Sequence, residues 1–149
     1  MTSGLKGKTE EEVHDILDAI IRLFCCLHGR DLYLKSYEKE LASRLLAKSL
    51  ISYDYEEHMI QKLKVECGAQ QVGKMTQMFK DITQSKETQK EFSANNENTN
   101  NIMGVEFNVE ILTNGHWPQM EEPTVILPNE IQACSDKFER WYKNAQSNR

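Results

Sequence analysis

Residues 105–111, VEFNVEI, alternate without a fault: Val105, Phe107, Val109 and Ile111 fall on one face of an extended chain, and Glu106, Asn108 and Glu110 on the other. Before residue 93 the apolar residues recur instead at helical spacing. A chain that changes period in this way is expected to be mainly α: a helical bundle followed by the start of a mixed α/β domain, with two short strands plus a helix. The expected boundaries are a bundle over 1–93, a linker over 94–104 and a partial α/β domain over 105–149. The linker is read from SANNENTNN, which is rich in asparagine and holds no apolar residue larger than Ala94.

The helices announce their starts. Thr9 and Glu12 have capping-box spacing, so a first helix begins there, with Val13, Ile16, Ile20, Leu23 and Leu27 as its stripe, Leu17 and Phe24 alongside, and Gly29 as its stop. Asp31 is placed to cap a second helix carrying Leu34, Tyr37, Leu41 and Leu45. Asp54 and Glu57 repeat the capping-box spacing before Met59, Ile60 and Leu63, and Gly68 ends that third helix. Val72, Met75, Phe79 and Ile82 give a fourth, with QSKETQKEF read as a short fifth. After the alternating segment, TNG turns the chain, TVILP offers a second strand closed by Pro128, and Asn129 caps a last helix along Ile131, Cys134, Phe138 and Trp141. Two strands alone are marginal in water, so the sheet is expected to be completed by a later piece of the natural chain or by a strand from another protein.

Composition narrows the function classes. At 149 residues with 39% hydrophobic content the chain can bury a core, about 70% of its unfolded surface. The net charge is −5, the first third being neutral and the acidic excess lying in the other two, so there is no general basic field for nucleic acid. No apolar run approaches membrane-spanning length, and MTSGLKGKTEEE lacks the apolar segment of a secretory signal, so a cytoplasmic or nuclear location is expected. Cys25, Cys26, Cys67 and Cys134 form no CxxC pair and read as packing thiols in a reducing compartment. Adjacent Cys25 and Cys26 point to different helix faces, which argues against a metal site with His28, and no metal or other cofactor is expected.

No phosphate-binding glycine loop, HExxH or GxSxG is present, and His116 in NGHWP and Cys67 each lack an identifiable convergent acid or base. His14, His28 and His58 read as surface or boundary residues, and Met59, Met75 and Met78 as core gap-fillers. Trp117 beside Pro118 reads as an anchor of its loop against the sheet, and Lys62, Lys64 and Lys74 as solvated helix charges. In ELASRLLAKSL, Leu41 and Leu45 belong to the core stripe while Lys39, Arg44 and Lys48 remain as a basic cluster.

Taken in order, GRDLYLKSYEKELASRLL, EEHMIQKLKVECG, KMTQMFKDITQS and VEILTNGHWP resemble consecutive signatures of the cullin family, and the resemblance extends from about Leu5 to Tyr142. It rests on Asp31, Tyr37, Leu41, Ala42, Arg44, Leu45 and Leu46, on Met59, Ile60, Lys62, Leu63, Lys64, Cys67 and Gly68, and then on Met78, Phe79, Asp81, Ile82, Ser85, Leu112, Gly115, Trp117 and Pro118. The resemblance implies a piece of the carboxy-terminal cullin-homology region: a non-catalytic scaffold of a ubiquitin ligase that holds a RING-box protein and transiently positions a ubiquitin-conjugating enzyme. It implies that the partner's strand joins the sheet at Val105, Phe107, Val109 and Ile111, with Trp117 fixing the adjoining turn. It also implies that Lys39, Arg44 and Lys48 contribute to a basic canyon for an acidic tail of the conjugating enzyme, although Ser43 stands where many members carry a basic residue. The winged-helix domain and its modifiable lysine have no counterpart here, so the chain is expected to be a piece of a longer protein, bound to the rest of it, or an unusually short one. The competing readings are a cullin-like interaction protein outside the ubiquitin pathway, a diverged cullin-related subunit of the anaphase-promoting complex, and an enzyme using His116 or Cys67.

Overall fold

The computed structural model describes residues 7–48, 52–94, 101–102, 105–119 and 125–147. Among the described residues five helices carry the fold: α1 (Glu10–Cys26), α2 (Arg30–Leu46), α3 (Tyr53–Cys67), α4 (Gly73–Ala94) and α5 (Asn129–Ser147). The only strands among the described residues are β1 (Asn101–Ile102) and β2 (Val105–Glu106), which pair antiparallel with Ile102 opposite Val105. None of the described helices is long and apolar enough to cross a membrane.

The chain divides into two compact units, one of Met1–Asp81 with Leu112–Pro118 and one of Ile82–Ile111 with Gln119–Arg149. The division therefore falls within α4 and again after Ile111, not at the linker expected over 94–104, of which 95–100 and 103–104 lie outside the described residues.

In the first unit the capping box is present as the sequence requires: the Glu12 amide donates to the Thr9 hydroxyl, and the Thr9 amide donates to the Glu12 carboxylate at 2.8 Å. That bond, with the Thr9 hydroxyl behind it, holds the Glu12 carboxyl below its ordinary range. The buried face of α1 is Val13, Leu17, Ile21 and Phe24, while Leu23 is 69% and Leu27 43% exposed. Of the expected stripe Val13 is buried, as are Leu17 and Phe24 alongside it, whereas Ile16, Ile20, Leu23 and Leu27 centre about 85° away around the helix, at 100° per residue. α1 is apolar over both arcs, so periodicity alone did not choose between them.

α1 ends at Cys26, and Gly29, expected as its stop, is instead the N-cap of α2, two residues before the expected cap Asp31, which lies inside the first turn. Leu34, Tyr37, Leu41 and Leu45 are all buried, as their spacing predicts. Ser52 rather than Asp54 caps α3, its hydroxyl accepting from the Asp54 amide at 3.2 Å. Gly68 ends α3 with φ 87°, a left-handed conformation that favours glycine, and its amide returns to the Lys64 carbonyl. Met59, Leu63, Met75 and Met78 complete the core of this unit, each at most 1% exposed.

QSKETQKEF is not a separate helix: α4 runs on through it to Ala94, because no glycine or proline interrupts it. In the second unit α4 and α5 meet through rings. Phe92 packs edge-on against Phe138 and Trp141, both at 5.1 Å between centroids, and Cys134 is fully buried beside this cluster's helix face. Residues 125–128 of the expected second strand have no regular structure, and Val125, Ile126 and Leu127 are exposed; Thr124 lies outside the described residues. The expected seven-residue strand is likewise absent beyond Glu106, and in place of the two short strands of an α/β domain the described residues hold only the paired β1 and β2. What holds the alternating segment instead is described next.

Candidate functional site

Phe107, Val109 and Ile111 turn their main chain toward α4, not toward another strand. The Gln89 side-chain amide donates to the Phe107 carbonyl at 3.1 Å and accepts from the Val109 amide at 3.3 Å. The Ser85 hydroxyl accepts from the Ile111 amide at 2.7 Å and donates to the Ile111 carbonyl at 3.2 Å. A primary amide offers one donor and one acceptor side by side, as a peptide group does, so Gln89 satisfies the two main-chain groups that flank Asn108. The spacings also agree: four helical residues rise about 6 Å, and two extended residues about 6.7 Å. Ser85 and Gln89 therefore meet Ile111 and Val109 in antiparallel order. Ser85 is 1% exposed, and a buried hydroxyl with both roles fulfilled costs little to bury. Phe107 adds an apolar tie, its ring 6.3 Å from that of Phe138.

In the first unit the turn after Leu112 is clamped by Asp81, 3% exposed. One carboxylate oxygen accepts from the Thr113 amide at 2.8 Å and from the Trp117 indole at 2.7 Å; the other accepts from the Thr113 hydroxyl at 2.7 Å and Gln77 at 2.9 Å. Burial pushes the Asp81 carboxyl up, but the donors, led by the Thr113 amide and then Trp117, outweigh it and hold the carboxyl below its ordinary value. Gly115, at φ 81°, makes the turn. Trp117 is thus tied to α4 through Asp81, and not to a sheet.

The basic candidates separate. Lys39 and Lys48 are exposed on and after α2. Arg44 is not on the open surface: its side chain is 11% exposed and pairs with Glu56 at 2.8 Å through both Nε and Nη2. The Tyr37 hydroxyl donates to the other Glu56 oxygen, and the Arg44 guanidinium lies over the Tyr37 ring, 5.6 Å from its centroid. Burial, reinforced by Glu56, pushes the Tyr37 hydroxyl far above its ordinary range. Arg44 thus ties α2 to α3, and only the pairing with Glu56, the first residue of EEHMIQKLKVECG and one given no role there, reveals it.

Among the described residues no cluster of histidine, cysteine, aspartate or glutamate could hold a metal ion. His116 sits in the Asp81-clamped turn with its amide bonded to the Thr113 carbonyl, and the Cys67 thiol donates to the Leu63 carbonyl. The four cysteines are free thiols.

The helical part of the chain matches a family model, the cullin alpha solenoid domain, over residues 1–89. The chain belongs to the cullin family. Its whole length aligns with cullins: Cullin-3 of Dictyostelium discoideum is 39% identical over 149 residues, which is 100% of this chain and 19% of that protein. Cullin-4A of Mus musculus is 38% identical and Cullin-4A of Homo sapiens 36%, each over all of this chain and 20% of the relative. The chain thus spans about a fifth of the length of the cullins it matches. Of the cullin site residues expected from the sequence, Phe107, Val109 and Ile111 are brought together on α4, and Trp117 on the Asp81 clamp. Val105 has its backbone in β2, and its side chain lies outside what the structure describes. Asp81, Ser85 and Gln89 were not read as a site; their spacing of four along one helix is the signal that could have found them.

Proposed function

We propose that the chain is a non-catalytic scaffold segment of a cullin-RING ubiquitin ligase, holding the RING-box protein so that a ubiquitin-conjugating enzyme works close to its target. Cullin membership supports the class, and the observation that carries the finer reading is the extended segment 107–111. Its odd-numbered residues use their main chain on α4, and the alternation of an extended chain turns the main-chain groups of Asn108 to the opposite edge. A partner strand is read to join there, as sheets take up extended segments. Phe107 and Val109 are read as flanking the partner strand, with Trp117 fixing the turn that follows.

For the conjugating enzyme's acidic tail the side chains on the open surface are Lys39 and Lys48, since Arg44 is neutralised by Glu56. Their contribution is an on-rate effect that salt weakens. The reading places the chain in the cytoplasm or nucleus, where its free thiols stay reduced.

Binding of a purified RING-box protein tests the assignment. Asn108→Pro removes a donor from the open edge, keeps Phe107 in the extended region that precedes proline, and leaves the Phe107–Phe138 contact in place. Binding should drop at least ten-fold. Unchanged binding in Asn108→Pro and after charge substitutions at Phe107 and Val109 would remove the assignment. For the basic surface, Lys39→Glu with Lys48→Glu should slow recruitment of the conjugating enzyme at low salt.

A further inference from the structure

We infer that Ser85 and Gln89 are positioning residues that stand in for a neighbouring strand, holding 107–111 extended before any partner arrives. The inference rests on the scaffold reading above and adds the means by which the receiving edge is formed.

An isolated strand without a neighbour is not held straight, because its main-chain groups find water as easily as a partner. Here one edge is already satisfied. Gln89 contributes a donor and an acceptor in the geometry of a peptide group, and Ser85 contributes the same pair through one hydroxyl. Both come from one face of α4, itself fixed to α5 through Phe92. The side chains use only odd-numbered residues, so they set the segment's register: a shift by one residue would turn different main-chain groups toward α4. A partner strand meeting this edge need not order it first, and the entropy of ordering several residues is removed from binding.

Two variants separate this role from simple support. Ser85→Ala deletes a hydroxyl with little change of volume. Gln89→Glu keeps the acceptor for the Val109 amide and loses the donor to the Phe107 carbonyl, whereas Gln89→Leu loses both. Hydrogen exchange of the 149-residue chain reads the preformed edge directly: the Val109 and Ile111 amides should be protected, with Ile111 exchanging about ten-fold faster in Ser85→Ala and Val109 in Gln89→Leu. Affinity for the RING-box protein should fall in the order wild type, Gln89→Glu, Gln89→Leu, with helical content unchanged.

Unprotected Val109 and Ile111 amides in the wild type would overturn the inference whatever the partner does. Lost protection with wild-type affinity would also overturn it, since the segment would then be ordered by its partner. The scaffold reading fails separately, through unchanged binding in Asn108→Pro with both amides still protected.

Discussion

Replacing Asp81 should expose what the clamp contributes, because all four of its partners are donors. In Asp81→Ala the Trp117 indole and the Thr113 amide lose their acceptor together, while Gln77 and the Thr113 hydroxyl can turn to water. Stranding a partly buried donor costs about 1–3 kcal/mol, and bonds to a charged group contribute about 1.5–3 kcal/mol each. With two donors stranded, the loss should be about 3–5 kcal/mol. Asp81→Asn is gentler: its oxygen can keep Trp117 and the Thr113 amide, its NH2 can donate to the Thr113 hydroxyl, and Gln77 can flip to accept. Only the charge assistance disappears, about 1–2 kcal/mol. For a chain of this size 1 kcal/mol moves Tm by about 3 °C. Asn should therefore lower Tm by about 3–6 °C and Ala by about 9–15 °C. Thermal unfolding followed by fluorescence in a Trp141→Phe background leaves Trp117 as the only reporter, since the chain has 2 tryptophans. Equal losses in the two variants, or less than about 1 kcal/mol in Ala, would refute the clamp. The sign with pH follows from a folded-state pKa held below 3.8. The wild type has the full contribution above the unfolded carboxylate range and loses it as pH falls through the lower folded value, a step that Asp81→Asn should lack.

Glu56→Gln leaves the Arg44 guanidinium in the interior without its counter-charge and should cost about 3–5 kcal/mol, whereas joint replacement of Arg44 and Glu56 by apolar residues should cost less; a denaturant titration of the three chains decides. His58 packs edge-on against His14 at 4.5 Å, and burial, then Lys62 and His14, outweigh Asp18 and depress its pKa below 6.5. Its neutral form is favoured in the folded chain, so stability should be complete above pH 6.5 and decline as pH falls toward the folded value, and His58→Asn should flatten that slope in urea midpoints measured at several pH values. Gly68→Ala meets no atom within 4 Å yet takes a Cβ into φ 87°, so a loss of about 1 kcal/mol in thermal unfolding should come from backbone strain alone.

Capping and periodicity made the helices legible. Thr9 with Glu12 and the φ-positive Gly68 are local devices, readable because their partners lie within four residues. The apolar face of α2 was legible for the same reason. The alternating segment was legible only in part: alternation shows that an extended chain has two unlike faces, but says nothing of what satisfies its edges. Those partners, Ser85 and Gln89, lie 26 and 20 residues from Ile111 and Val109. Arg44 was misplaced for a related reason, since a basic residue on a helix reads as solvated until its counter-charge, Glu56, is located on a different helix.

The register between α4 and 107–111 also bears on how such chains can diverge. Substitution is tolerated wherever an amide or hydroxyl survives at 85 and 89, because the contacts on the extended side are to main chain. Insertion or deletion of a single residue is not: inside 85–89 it rotates one contact by about 100° around the helix, and inside 109–111 it exchanges inward for outward groups. Length changes should gather outside these two stretches. Gap placement in alignments of close relatives should therefore trace the paired stretches more sharply than residue identity does.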